Sequence, residues 1–169
     1  MIEFETFPKS GQALQVVLSI VDVFRLHHQT IDSHASDGMK SDDVLSVVRN
    51  DLEAIGFEVE KNKTAAGKLK VPVLFGRNGR VDKSFDADAI HLGEKVVLEV
   101  EAGRAVSNYQ FLKDLFQACM MQDVEHLVIA VRNNYLGHKD FETVAQFFST
   151  LYASQRLQLP LKSVTVIGY

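Results

Sequence analysis

Cysteine is nearly absent: Cys119 is the only one in 169 residues. A single thiol excludes an intramolecular disulfide, and a reducing compartment, the cytoplasm, is the expectation. Long apolar runs are missing too. The longest, such as Leu127–Val131, fall far short of the roughly 20 residues that span a bilayer, so no membrane partner is expected. The opening residues lack the basic start and apolar block of a secretory signal, because Glu3 and Glu5 interrupt them. With only 3 prolines, there is no Pro-rich linker, and no repeat or low-complexity tract stands in for one. What is present is ordinary for a globular chain: 46% hydrophobic and 24% charged residues, with enough length for one core. Residues 1–169 read as a single domain.

Net positive charge is also lacking. The formal balance is −4, which by itself argues against a nucleic-acid partner. The distribution says otherwise. Lys61, Lys63, Lys68, Lys70, Arg77, Arg80 and Lys83 fall in one segment opposed only by Asp82; it carries +6 and leaves −10 for the rest. Such asymmetry fits either a phosphate-binding stretch or a solvated edge strand guarded by lysines.

Apolar spacing marks the elements. Gln12–His27 repeats Leu14, Val17, Leu18, Val21 and Phe24 at helical intervals, and polar Thr30–Met39 reads as a loop. Ser41 is a helix cap followed by Asp42 and Asp43 in the first turn. Val44, Leu45, Val48, Leu52 and Ile55 form the buried stripe of that helix, and Gly56 stops it. Phe57–Glu60, Val71–Phe75, Ser84–Leu92 and Lys95–Ala102 read as strands, with Pro72 marking an edge. Ser107–Met121 is a helix with the stripe Phe111, Leu112, Leu115, Phe116 and Cys119. A strand at His126–Val131, a helix at Phe141–Tyr152 and a strand at Val164–Ile167 follow. A meander followed by alternating helix and strand implies a mixed sheet with helices on its faces: an α/β fold.

The hairpin around Gly93-Glu94 carries the chemistry. A Gly-X pair suits a two-residue type II′ turn, in which glycine takes positive φ at the first central position. Counting outward, Leu92 faces Lys95, Ile90 faces Val97, Asp88 faces Glu99 and Asp86 faces Glu101. All four acids then share one side of the ribbon, with Phe85, Ala87, Ala89, Val96, Leu98 and Val100 on the other. A three-residue loop would break this arrangement. Opposed carboxylates repel, so the pattern calls for raised pKa values, a bound cation, or full exposure to solvent. Oxygen-only ligands select Mg²⁺, Mn²⁺ or Ca²⁺. No thiol or histidine lies on that face, which argues against zinc.

The stretch Phe85-Asp-Ala-Asp-Ala-Ile and the words Val97-Leu-Glu-Val-Glu101 resemble the signature of the PD-(D/E)xK restriction-endonuclease-like superfamily. Asp88 matches the first acid and Glu99 the second, while Glu101 stands where most members have lysine. This Glu-x-Glu variant is similar to the BamHI/BglII type, as is the Lys113-Asp-Leu-Phe sequence on the following helix. The proline that names the family is absent before Asp88. The resemblance implies an αβββαβ nuclease core over residues 41–132, between an N-terminal helix and loop (1–40) and a C-terminal helix and strand (133–169). It implies a metal-dependent DNA endonuclease. Asp88, Glu99 and the Val100 carbonyl would bind Mg²⁺ or Mn²⁺, and Glu101 would orient the attacking water, act as general base or bind a second ion. Asp86 is a weaker ligand candidate, and Glu53 is the nearest match to the further acid that some members carry on the preceding helix. Gln110 and Lys113, with Gln117, occupy a polar helix face that contributes to the site in some families and is otherwise solvated. Lys61, Lys63, Lys68, Lys70, Arg77, Arg80, Lys83 and Arg104 would hold DNA phosphates. A homodimer would suit a double-strand cutter.

Two rivals remain open on the residues alone: a nuclease fold that has lost catalysis and binds DNA or protein, and an interaction domain whose acidic face meets a basic partner. His27, His28 and His34 read as helix-end histidines favoured by the helix dipole rather than as a metal site. His91, on the apolar side of the hairpin, reads as structural, and Cys119 as a small buried apolar residue.

Overall fold

The alternation of Ile2, Phe4 and Thr6 with Glu3, Glu5 and Phe7 is the period of a strand, and in the computed structural model Glu3–Phe7 is strand β1. No strand was expected there. The structure describes residues 1–32 and 39–169. Two helices follow β1, α1 (Gln15–Leu26) and the short α2 (His28–Ile31), the latter running into the start of the stretch expected to be loop. Next come α3 (Ser41–Ala54), β2 (Glu58–Val59), β3 (Leu69–Phe75), β4 (Val81–Ala87), β5 (Ala89–His91) and β6 (Val96–Glu101). The chain closes with α4 (Gln110–Met120), β7 (His126–Val131), α5 (Asp140–Ser154) and β8 (Ser163–Gly168).

Six strands form one mixed sheet in the order β1-β8-β7-β6-β5-β2. The run β2-β5-β6 is antiparallel, β6-β7-β8 is parallel, and β1 joins β8 antiparallel. Among the described residues there are five α-helices. The mixed α/β architecture expected from the sequence is therefore observed. None of the described helices is long and apolar enough to cross a membrane.

Both faces of the sheet are covered. On one face α1 and α3 bury Phe24, Val48 and Leu52 against Ala89, Val96, Leu98 and Val100. On the other, Phe111 and Leu115 of α4 and Val144 and Phe148 of α5 pack on Ile90, Val97, Leu127 and Ile129. Side chains alternate along a strand, so Glu99 and Glu101 continue the row begun by Val97, on the α4 face.

Several local expectations change. Lys40, not Ser41, is the N-cap of α3, and its amide donates to the Asp43 carboxylate at 2.9 Å. The hairpin turn is not a type II′ Gly-Glu pair. Positive φ falls on Lys95 (58°) rather than on Gly93, and His91 pairs with Val96 across four loop residues. A longer loop ending in a left-handed residue gives the same register as the two-residue turn, so Ile90 still faces Val97. The expected strand Ser84–Leu92 is two strands. Its first half leaves the sheet at Asp88 and pairs with β3 in a separate two-stranded ribbon. Asp86 therefore lies opposite Lys70, not Glu101, and Ala87 and Phe85 pack on the α4 face instead of sharing the side of Ala89. Phe116, expected in the buried stripe of α4, is 54% exposed.

Leu98→Ala is expected to lower unfolding stability by about 2–5 kcal/mol, because the side chain is fully buried. Phe116→Ala should change it by no more than about 0.5 kcal/mol. Urea titrations of both variants measure the contrast, and comparable losses would contradict the burial described.

Candidate functional site

The point where β4 leaves the sheet defines the site. The β5–β6 ladder ends at Ala89 and Leu98, and Asp88 takes over its continuation. The Val100 amide donates to Asp88 Oδ2 at 2.8 Å, and the Glu60 amide donates to the Asp88 carbonyl at 2.8 Å. Asp88 thus faces β6 on one side and the end of β2 on the other. Beyond Glu101 the chain turns at Gly103, whose φ is 108°; a Cβ there would meet the Tyr135 ring at 2.4 Å. Only glycine combines that backbone with that approach. Past the turn, α4 begins at Gln110 and lays its polar edge beside the acids.

The result is a cleft of about 830 Å³. It brings together Asp88, Glu99, Val100 and Glu101 with Gln110 and Lys113, and Asp86 lies on its wall. Three acids not taken from the sequence as site candidates also line it: Asp42 at the start of α3, Glu60 just after β2, and Asp114 on α4. Glu53, the nearest candidate for a further helix acid and otherwise a solvated glutamate on the polar face of α3, is exposed and lies outside the lining. The spacing that sets Asp114 on the α4 row of Gln110 and Gln117, by i+4 and i−3, was the available signal. Glu60 carried none, because a glutamate after a two-residue strand looks like any loop acid.

The basic segment divides. Lys63, Lys68, Lys83 and Arg104 line the cleft. Lys61 and Lys70 are exposed outside it, and Arg77 and Arg80 sit at the tip of the β3–β4 ribbon. Two of the cleft lysines already have carboxylate partners. Lys68 pairs with Asp86. Lys63 Nζ lies 2.5 Å from Glu60, 3.2 Å from Asp42 and 3.5 Å from Asp88. Burial disfavours the charged form of Lys63, but the bonds to Glu60 and Asp42 and the charge on Asp88 outweigh it and raise its pKa. The Glu99–Glu101 strand offers no lysine, yet an ammonium stands beside Asp88, supplied by a loop 25 residues upstream of it.

Electrostatics separates the acids. Burial raises the pKa of Asp88, against the opposing pull of the Val100 amide and Lys63. Glu99 is pushed well up, first by burial and then by the charges of Asp88, Asp114 and Glu101. Glu101 rises to about 8, through burial and then the neighbouring Asp114. Asp114 rises to about 6 through burial, partly countered by Lys113. Four carboxyl groups thus share a desolvated cleft, and on this wall Lys113 is the cation that opposes them. Their donor set fits a hard divalent cation, which would supply the missing positive charge. In this arrangement they line the cleft without converging: among the described residues no three His, Cys, Asp or Glu side chains meet in coordination geometry.

The histidines lie elsewhere. His27 pairs with Asp51 at 2.7 Å and His28 with Asp32 at 2.9 Å, while His34 lies outside the described residues. His91 packs edge-on against Phe57 and accepts the Glu94 amide at 3.1 Å, a structural role as expected. Cys119 is half-buried and packs against the α4-side core, which raises its thiol pKa.

The chain matches no model of a known protein family and no curated protein sequence.

A pH profile tests this electrostatic picture. Glu101 and Asp114 bind protons more tightly folded than unfolded, so the metal-free protein binds more protons when folded between their ordinary and raised pKa values. Stability should then fall as pH rises from about 4.5 to about 8 and level off above. Thermal melts of the metal-free protein across this range measure it. Glu101→Gln should flatten the upper half of the fall, and a profile identical to that of the unsubstituted protein would contradict the assignment.

Proposed function

We propose that this chain is a divalent-cation-dependent deoxyribonuclease of the restriction-endonuclease-like type, hydrolysing phosphodiester bonds in the cleft between β6 and α4. The observation that carries the reading is that one cleft is lined by Asp88 at a strand break, by Glu99 and Glu101 on the next strand, and by a basic rim of Lys68, Lys83 and Arg104. The order α3-β2-β5-β6-α4-β7, with an antiparallel meander followed by a parallel strand, agrees with the αβββαβ core the motif implies. The ribbon β3–β4 is then an insertion between the first and second core strands.

Asp88 and Glu99 would hold Mg²⁺ or Mn²⁺ together with the Val100 carbonyl. In a strand the N–H and C=O of one residue point to the same side, and the Val100 N–H points at Asp88. The ion supplies charge neutralisation at the phosphate and a water of lowered pKa. The protein's own residues do the rest. Glu101, whose pKa burial and Asp114 raise to about 8, would once ionised either accept the proton of the attacking water or hold a second ion. Lys68, Lys83 and Arg104 hold phosphates at the rim, with Arg77 and Arg80 extending that contact along the ribbon. Pairing of two copies would present two such clefts to the two strands of a duplex.

A second reading keeps the fold and drops the chemistry: a module that binds DNA or a protein partner without cleaving. It is favoured by Lys63, whose ammonium already neutralises Asp88, and by carboxylates that do not converge.

Supercoiled plasmid with Mg²⁺ or Mn²⁺ at low salt distinguishes the two. Nicking or linearisation that requires metal, and that falls by on the order of 10²–10³-fold or more in Asp88→Ala and Glu99→Gln, is expected. Retarded plasmid with no cleavage under either metal would select the binding module.

A further inference from the structure

We infer that Asp114 is a cation ligand, forming with Glu101 a subsite on the α4 wall of the cleft beside the one assigned to Asp88 and Glu99. The inference rests on the cation-dependent reading above and extends it to a residue outside the motif.

Asp114 is 4% exposed. One carboxylate oxygen, Oδ1, is reached by Gln110 Nε2, at 3.5 Å and therefore weakly. The other, Oδ2, is buried and meets no N–H or hydroxyl donor; the side chain's contact with the Glu101 carboxyl is a hydrogen bond only while the two share a proton, and among the described residues no ion pair reaches Asp114. A desolvated carboxylate oxygen without a donor is costly, and its neighbour across the cleft wall is Glu101, an acceptor like itself when ionised. What such a pair lacks is a cation.

Asp140 offers a comparison within the same chain. It too is buried, at 2% exposed, with an unpartnered Oδ2. Asp140, however, is the first residue of α5, where the helix dipole stabilises a negative charge. Asp114 sits in the middle of α4, where the dipole offers nothing. A structural role explains Asp140 and leaves Asp114 unexplained. Two carboxylates and a side-chain amide give an all-oxygen donor set once the Gln110 amide presents its carbonyl, which suits Mg²⁺ or Mn²⁺ rather than a softer ion. Rotation about the Asp114 and Glu101 side-chain torsions brings their oxygens together on the ion.

Mn²⁺ binding followed by electron paramagnetic resonance tests the inference on the full chain, wild type beside Asp114→Asn and Asp88→Asn. Asp114→Asn is expected to weaken Mn²⁺ binding at least ~10-fold or to remove one of two bound ions. Wild-type binding unchanged in Asp114→Asn but lost in Asp88→Asn would overturn the Asp114 assignment and leave the nuclease reading standing. No Mn²⁺ bound by wild type would overturn both. Should Asp114→Asn fail to fold, Mg²⁺ titration of wild type observed at the side-chain carboxyl ¹³C resonances decides: a shift at Asp114 supports the site, and shifts at Asp88 and Glu99 that spare Asp114 overturn it.

Discussion

The hydrogen bond from the Val100 amide to the Asp88 carboxylate holds the arrangement together. At that position a continuing ladder would place backbone against backbone. The chain instead turns out of the sheet, and a side chain takes over the strand's next donor. Three consequences follow from the substitution. Residues 81–87 are released to pair with β3 as a separate ribbon. The edge of β6 next to Glu99 and Glu101 is left open as a cleft rather than closed by another strand. And Asp88 is held where its remaining oxygen can meet Lys63 or, on the reading proposed here, a cation.

The cleft concentrates like charge where water is scarce. Strand β6 puts Val97 under α4 as part of the core, and the same row then runs on into Glu99 and Glu101. Apolar packing of Val97, Phe111 and Leu115 thereby drags two carboxylates partway into the protein. Helix α4 adds Asp114 from the facing side. Such a set is tolerated by keeping protons, as the raised pKa values of Glu99 and Glu101 indicate, or by admitting positive charge. At the other end, Asp42 and Glu60 join Asp88 around the single ammonium of Lys63. One cleft thus has one end neutralised by the chain itself and another end that is not. That asymmetry is the physical basis for placing a cation on the α4 side.

The basic segment takes a place its charge count could not have foretold. Lys63 is tied up among the cleft's acids and Lys68 pairs with Asp86 at the cleft rim, while Arg77 and Arg80 sit at the far tip of the ribbon. A positive run in the sequence is therefore partly internal neutralisation and partly a surface free to meet phosphate.

Much of the fold was legible in the residues. Period-two alternation marked β6, a short apolar run marked β7, helical stripes marked α1, α3, α4 and α5, and the pairing of Ile90 with Val97 followed from counting outward from the turn. Even β1 had its signal in Ile2, Phe4 and Thr6. Local spacing determines which face of an element a side chain occupies, so it was enough to put Glu99 and Glu101 together and to set Gln110 and Lys113 on one helix edge. It could not determine what stands across from that face. Asp86 turned toward Lys70 because β4 found β3 as its partner, a choice between two strands that the alternation alone fits equally well. Glu60, Lys63 and Asp114 entered the cleft only because β2 pairs with β5 and α4 crosses β6. Those contacts join residues far apart in the chain, and they are decided by burial of the two apolar layers rather than by any pattern near the residues themselves.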